Sequence, residues 1–254
     1  MLPLQKIIST EKELSSSNLD LAQIQQNIAE HKTDKIFRIS KAVTDIASEF
    51  REEEKLIILI DIVGFSKDTT RNQVYKIYLF QRYLMAQVLG NRHSFNGKVN
   101  INHFVPTGDG CYIVAEKCEP ETALNLLITI ISGFKDIKTE NGLAMSLRSS
   151  ALFGKVVPFI DMARHLNYIG EGMNEASRIL SGGQRTLEEN YLSAHSGALY
   201  GDEKKFSRNS LYLGDSLSEG IENYRESCAE IFRFPDVADK HGIKRNVTVL
   251  QGIL

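Results

Sequence analysis

The sequence predicts an α/β protein: a mixed, largely antiparallel sheet with helices on its faces, preceded by a helical arm. Three observations carry this. The run LIILIDIV, Leu56 to Val63, is apolar at consecutive positions and reads as a strand covered on both faces. KVNINHFV and CYIVAE flank the turn PTGDG and read as a hairpin. Between such strands, apolar residues recur every three or four positions, the period of helices packed on a sheet.

The arm comes first. In residues 1–54, Leu19, Leu21, Ile24 and Ile28, then Ile36, Ile39, Val43, Ile46 and Phe50, follow helical spacing, and the charged joint REEEK precedes the first strand. Two amphipathic helices are expected there, with a second domain over residues 55–254. Within LIILIDIV, Asp61 interrupts the apolar run. An unpaired ionised carboxylate in a strand covered on both faces costs several kcal/mol, roughly, so something positive must meet it.

After Ser66, the polar stretch KDTTRNQ leads into Val74, Ile77, Tyr78, Leu84, Met85, Val88 and Leu89, a long helix up to Gly90 or Asn91. The hairpin follows, with Asp109 at its tip. Pro120 opens a further helix whose inner face is Ala123, Leu124, Leu127, Ile130, Ile131 and Phe134. Strands are expected from Met145 to Phe153 and from Lys155 to Phe159, joined at Gly154. NYIGEGMNEASRILSGG then opens a helix near Gly172, and the paired Gly182 and Gly183 predict its end. Residues 185–209 read as loop, and EIFRFP and NVTVLQGIL as two late strands.

The 254 residues carry 42% apolar and 24% charged side chains with a net charge of -2, which gives no general attraction to nucleic acid or to an anionic membrane. No apolar run reaches the ~20 residues of a membrane span, and the N-terminus lacks a secretory core. The three cysteines show no C-x-x-C spacing, so no disulfide framework or structural zinc site is indicated, and a cytoplasmic location is expected.

Asp61 and Asp109 place two hard oxygen ligands at the rims of neighbouring strands. Mg²⁺ or Mn²⁺ suits such a pair, because these ions take one or two carboxylates and complete their shell with substrate phosphates. IVGFS, with Gly64, Phe65 and Ser66, is a Gly-bearing turn between strand and helix whose amides can face phosphate, although no Walker-type G-K-[ST] follows. Taken alone, it is only a tight turn. Asn174 and Arg178 are four apart and project from one helix face. As an isolated pair they would be ordinary surface residues.

The blocks LIDIVGFS, PTGDGCYIV and IGEGMNEASRI, in that order, resemble the class III nucleotidyl cyclases from about Leu56 to Leu180. The resemblance implies a ferredoxin-like α+β cyclase fold. It implies that Asp61 and Asp109 hold two divalent metals with the Ile62 carbonyl nearby, that Asn174 orients the ribose, and that Arg178 stabilises the α-phosphate. It also implies a homodimer in which each site draws the two pairs from opposite subunits. At the positions where purine cyclases of the family read their base, this chain has Val105 and Asn167, matching neither the adenine nor the guanine set. Asn167 offers a donor and an acceptor suited to uracil, among other edges, and Tyr168 or Phe65 is available to stack on a base or to fill the core. The chain looks like the pyrimidine cyclases of bacterial anti-phage defence, which make cyclic UMP or cyclic CMP; the resemblance implies a pyrimidine nucleoside triphosphate, with UTP and cyclic UMP favoured, and a separate cyclic-nucleotide-responsive effector. An adenylate cyclase with atypical base readers and an inactive cyclase-like module are the alternatives. The family's late phosphate-gripping Lys has candidates in Lys204 and Lys205.

Overall fold

The computed structural model describes residues 51–90, 99–134, 145–161, 165–194, 209–219, 221–239 and 241–253. Met1–Glu52 with Val157–Asn167 form one compact unit, and Glu53–Val156 with Tyr168–Leu254 form the other. The expected helices of the arm, and Lys204 and Lys205, lie outside the described residues.

Among the described residues, eight strands form one sheet: β1 (Glu53–Ile62), β2 (Ile101–Pro106), β3 (Gly110–Glu116), β4 (Leu147–Ile160), β5 (Leu166–Ile169), β6 (Ser210–Leu213), β7 (Cys228–Ala238) and β8 (Lys244–Ile253). Their order is β2-β3-β1-β4-β6-β8-β7, with β5 beside β4. The pairs β2–β3, β3–β1, β1–β4, β6–β8 and β7–β8 are antiparallel and β4–β6 is parallel. The mixed, mainly antiparallel sheet expected from the sequence is therefore present. The parallel pair requires a crossover, and its helix, α3 (Glu171–Ala194), carries the Asn–Arg pair.

From Leu56 to Ile62, β1 is apolar save for Asp61 because both of its faces are covered. Leu56, Ile58, Ile60 and Ile62 pack with Phe80 and Leu84 of α1 (Thr70–Gly90) and with Leu124, Leu127 and Ile131 of α2 (Pro120–Ser132). Ile57 and Leu59 face Met173, Ala176, Ile179 and Leu180 of α3. Each such side chain withdrawn from water contributes roughly 1.5–3 kcal/mol. The strand begins at Glu53, three residues before the expected start at Leu56, so Lys55 belongs to it and not to a solvated joint. Lys55 is buried and bonded to Glu116 through Nζ at 2.8 and 2.9 Å.

Two expectations drawn from glycine fail for one reason. Helix α3 does not stop at Gly182 and Gly183 but runs through both to Ala194. A Cβ on Gly183 would lie 2.8 Å from Tyr212 Cδ1, so the glycine serves the approach of helix to sheet. Likewise β4 is one strand through Gly154, where a Cβ would come within 2.8 Å of Gly172 Cα. The sequence also gave no sign of β5, of β6, or of the turns at Asp215–Ser218 and Ile221–Ser227. In the other unit, the described end of the β4–β5 hairpin closes with the Asp161 N–H donating to the His165 carbonyl and the His165 N–H to Asp161 Oδ1, both at 2.9 Å.

Candidate functional site

Backbone register builds the first half of the site. β1 and β3 pair Ile60 with Cys111 and Asp61 with Gly110, so the tip of the β2–β3 hairpin closes over the end of β1. The Ile62 N–H donates to the main-chain oxygen of Asp109 at 3.0 Å, and the Thr107 N–H to the Gly110 carbonyl at 3.1 Å. Two glycines permit this turn. Gly108 has φ 98°, and a Cβ on Gly110 would lie 1.9 Å from the Ile60 carbonyl oxygen. The expected meeting of Asp61 and Asp109 is thus a consequence of the ladder.

Asp61 is 7% exposed and points to the α3 side of the sheet, into a cavity of about 410 Å³ that Thr107, Asp109, Tyr112, Arg148 and Gln184 help to line. Tyr112 Oη donates to the Met173 carbonyl at 3.2 Å and Ser150 Oγ to the Ala176 carbonyl at 2.6 Å, which seats α3 as the cavity's far wall. Arg148, on β4, meets Asp61 through a short ion pair from Nε to Oδ2, and its Nη1 donates to Gln184 Oε1. This cation was missed in the sequence. The available signal was a single Arg inside the otherwise uncharged strand SLRSSALF.

Burial pushes the Asp61 carboxyl up, Arg148 pulls it down and the like charge of Asp109 pushes it up again, leaving it above the usual carboxylate range. The donor set is two carboxylates, with no cluster of three or more His, Cys, Asp or Glu among the described residues. That set fits Mg²⁺ or Mn²⁺ held jointly by protein and substrate phosphates.

Asn174 and Arg178 lie on α3 and line a different cavity, about 500 Å³, together with Ser177, Ser181, Asp239 and His241. Ser177 and Ser181 also line the carboxylate cavity, so the helix separates the two clefts with these serines on the shared ridge. Within one chain the acidic pair and the Asn–Arg pair do not meet. Arg178 forms an ion pair from Nε to Asp239 Oδ2 at 3.4 Å.

The remaining candidates divide. Gly64 takes φ 71° and opens a short 3₁₀ turn, Phe65–Lys67, before α1 begins at Thr70. The polar stretch after Ser66 separates the turn from the helix, and the Lys67 and Asp68 amides bond back to the Gly64 and Phe65 carbonyls. Ser66 is exposed, while Phe65 packs against the core and Tyr168 is buried in it, so the core role is the one both rings fill. Val105 packs against the cluster on the α3 side. Asn167 lies on β5 in the other unit. No described helix is long and apolar enough to cross a membrane.

No protein-family model and no curated protein sequence matches the chain. Solved structures do. The catalytic core of a rhodopsin-guanylyl cyclase with converted specificity, in complex with ATPαS, is 18% identical with a TM-score of 0.53 over 80% of this chain and 98% of that one. The guanylate cyclase domain of RhGC from Catenaria anguillulae, in complex with GTP, is 18% identical with a TM-score of 0.52 over 80% of this chain and 100% of the other. A non-canonical dimeric guanylyl cyclase domain of the RhoGC fusion protein from Blastocladiella emersonii is 19% identical with a TM-score of 0.51 over 80% of this chain and 99% of that one. At these identities the likeness is one of architecture: the chain has the fold of class III cyclase catalytic domains.

Proposed function

We propose that the chain is a nucleotidyl cyclase that converts a nucleoside triphosphate, UTP, to its 3′,5′-cyclic monophosphate and pyrophosphate. The ribose 3′-oxygen forms a bond to the α-phosphorus, the bond from the α-phosphorus to the bridging oxygen breaks, and the 3′ proton passes to solvent. The observation that carries this reading is the convergence of Asp61 and Asp109 on one cavity of a cyclase-type sheet. These two residues, with the Ile62 carbonyl, would hold Mg²⁺ or Mn²⁺, which acidifies the 3′-hydroxyl and neutralises the departing pyrophosphate.

This chain's own side chains supply the rest. Asn174 orients the ribose, and Arg178 places donors where charge grows on the α-phosphate. Gly64, Phe65 and Ser66 form the loop offered to the terminal phosphates. Separate cavities for the acidic pair and the Asn–Arg pair support a homodimer in which each site is completed across the interface.

UTP is favoured because Val105, an apolar side chain packed against the core, offers no hydrogen bond to a purine edge, leaving base selection to Asn167. The cyclic product acts as a second messenger read by a separate effector, as in anti-phage defence. Purified protein with Mn²⁺ and each of the four NTPs tests this directly. Cyclic UMP alone is the expected product; cyclic AMP alone would make the chain an adenylate cyclase, and no product from any NTP would make it an inactive module.

A further inference from the structure

We propose that Asp239 is a positioning residue for Arg178: it anchors the guanidinium through Nε and so aims the opposite, two-donor edge at the α-phosphate. The inference rests on the cyclase reading for its catalytic consequence, and on local geometry for the clamp itself.

Asp239 sits in the turn between β7 and β8. Its Oδ1 accepts from the His241 N–H at 2.8 Å and from the Ile243 N–H at 3.0 Å. Its Oδ2 accepts from Arg245 Nη1 at 3.2 Å and faces Arg178 Nε at 3.4 Å. The side chain is 3% exposed. A carboxylate pinned by two main-chain donors takes its position from the turn, not from Arg178, and is therefore an anchor. The turn is fixed in its own right: the Asp239 N–H donates to the Ile243 carbonyl and the Gly242 N–H to the Asp239 carbonyl, both at 3.0 Å, and Gly242 supplies the φ of 77°.

The helix side is tied by the same network. Arg245 Nε donates to Glu175 Oε1 at 3.2 Å, one residue beyond Asn174 and three before Arg178. Glu175, Arg245, Asp239 and Arg178 thus lock one face of α3 to the β7–β8 turn, and that face lines the 500 Å³ cavity. A guanidinium is a planar fork, and a partner at Nε turns its Nη1–Nη2 edge away from that partner. Two parallel donors then face a phosphate's oxygens. Left unanchored, a long Arg would sample many rotamers, and the loss of alignment costs rate more than binding.

Asp239→Asn keeps the Oδ1 acceptor for the turn amides and removes the charge that holds Arg178. The variant should fold, lower kcat about 10²-fold and leave KM for the NTP within about threefold. In an Arg178→Ala background, the same change should lower kcat no further. Equal losses in both backgrounds would show that Asp239 acts independently of Arg178 and would overturn the proposal. An activity-free readout separates this from failure of the cyclase reading. In ¹⁵N spectra of the full chain, the Arg178 Hε should exchange with water more slowly than that of exposed Arg71, and should lose that protection in Asp239→Asn. Exchange as fast as Arg71 in the unaltered protein would overturn the clamp whether or not any NTP is cyclised.

Discussion

Two carboxylates, one at the sheet rim and one in the β7–β8 turn, are opposites in surroundings. Asp61 is buried beside Arg148 and the like charge of Asp109, and its carboxyl is held above the usual range. At Asp239, burial pushes the carboxyl up, but the Ile243 and His241 N–H groups and Arg245 outweigh it and bring the value down to about 2. Burial outweighs the neighbouring guanidinium at the first carboxylate, and the donors outweigh burial at the second. A carboxylate pair left short of donors in a cavity is arranged to receive a cation, whereas a saturated one is arranged to hold something else in place. The difference agrees with the proposed metal at the rim and the proposed anchor in the turn.

The sharpest break falls on the rim. Asp109→Ala and Asp61→Ala should each reduce turnover by about 10³-fold or more, because each removes one of the two proposed metal ligands. Folding should survive both. Arg148 is 32% exposed and retains its Gln184 contact, so losing its Asp61 partner costs about 1 kcal/mol of stability. Mn²⁺ titration of the unliganded protein, followed by electron paramagnetic resonance, should show binding in the parent and none in either variant. Binding retained without Asp61 and Asp109 would remove the rim from the metal's account.

Next in size is the packing that brings the rim together. Gly110→Ala drives a methyl group to 1.9 Å from the Ile60 carbonyl oxygen, and backbone must move to relieve it. Destabilisation of about 3 kcal/mol is expected in denaturant unfolding, together with loss of Mn²⁺ binding. Gly108→Ala meets no neighbour within 4 Å and bears only the strain of φ 98°, a cost of roughly 1–2 kcal/mol. If the two variants proved equally unstable, steric closeness at Gly110 would not be what sets the hairpin on β1.

The same contrast marks what could be read from the sequence. The rim was legible because its placement follows from local patterns: an apolar strand broken by Asp61, and a G-D-G turn between alternating strands. The resemblance to cyclases, carried by those blocks, led to the correct sheet. Helix α3 was legible at its start but not at its length, because Gly182–Gly183 mimics a helix end. Only Tyr212 and Val247, brought up from the sheet, explain why side chains are absent there. Gly154 misled in the same way. The roles of Arg148 and Asp239 were not legible, because the partner that matters to each comes from a distant segment: Arg148 is 87 residues from Asp61, and Asp239, in a stretch, DKHG, that reads as ordinary turn chemistry, meets Arg178 of α3.

Division of the site between subunits can be broken by mixing. Asp61→Ala and Arg178→Ala chains, each left with only a small residual turnover alone, should regain about a quarter of the parent activity when combined in equal amounts, since half the dimers are mixed and each mixed dimer has one intact site. Exchange of subunits, confirmed by mass spectrometry, without recovery would mean that each chain assembles its site from its own two clefts.

Acid separates the two carboxylates most finely. Asp239 is lowered in the folded chain, so its contribution to stability is complete above the ordinary carboxylate value and is lost as pH falls towards about 2. Asp61 is raised, so its contribution is complete below the ordinary value and is lost as pH climbs through its elevated one. Between about pH 5 and pH 2, Asp239→Asn should therefore lose less melting temperature than the parent, having no such carboxylate to protonate. Asp61→Asn should lose more, because the parent's Asp61 gains a proton more readily folded than unfolded. Parallel melting curves for all three proteins would mean that the two carboxylates share one electrostatic environment, and the assignment of cation site and anchor would then fall together.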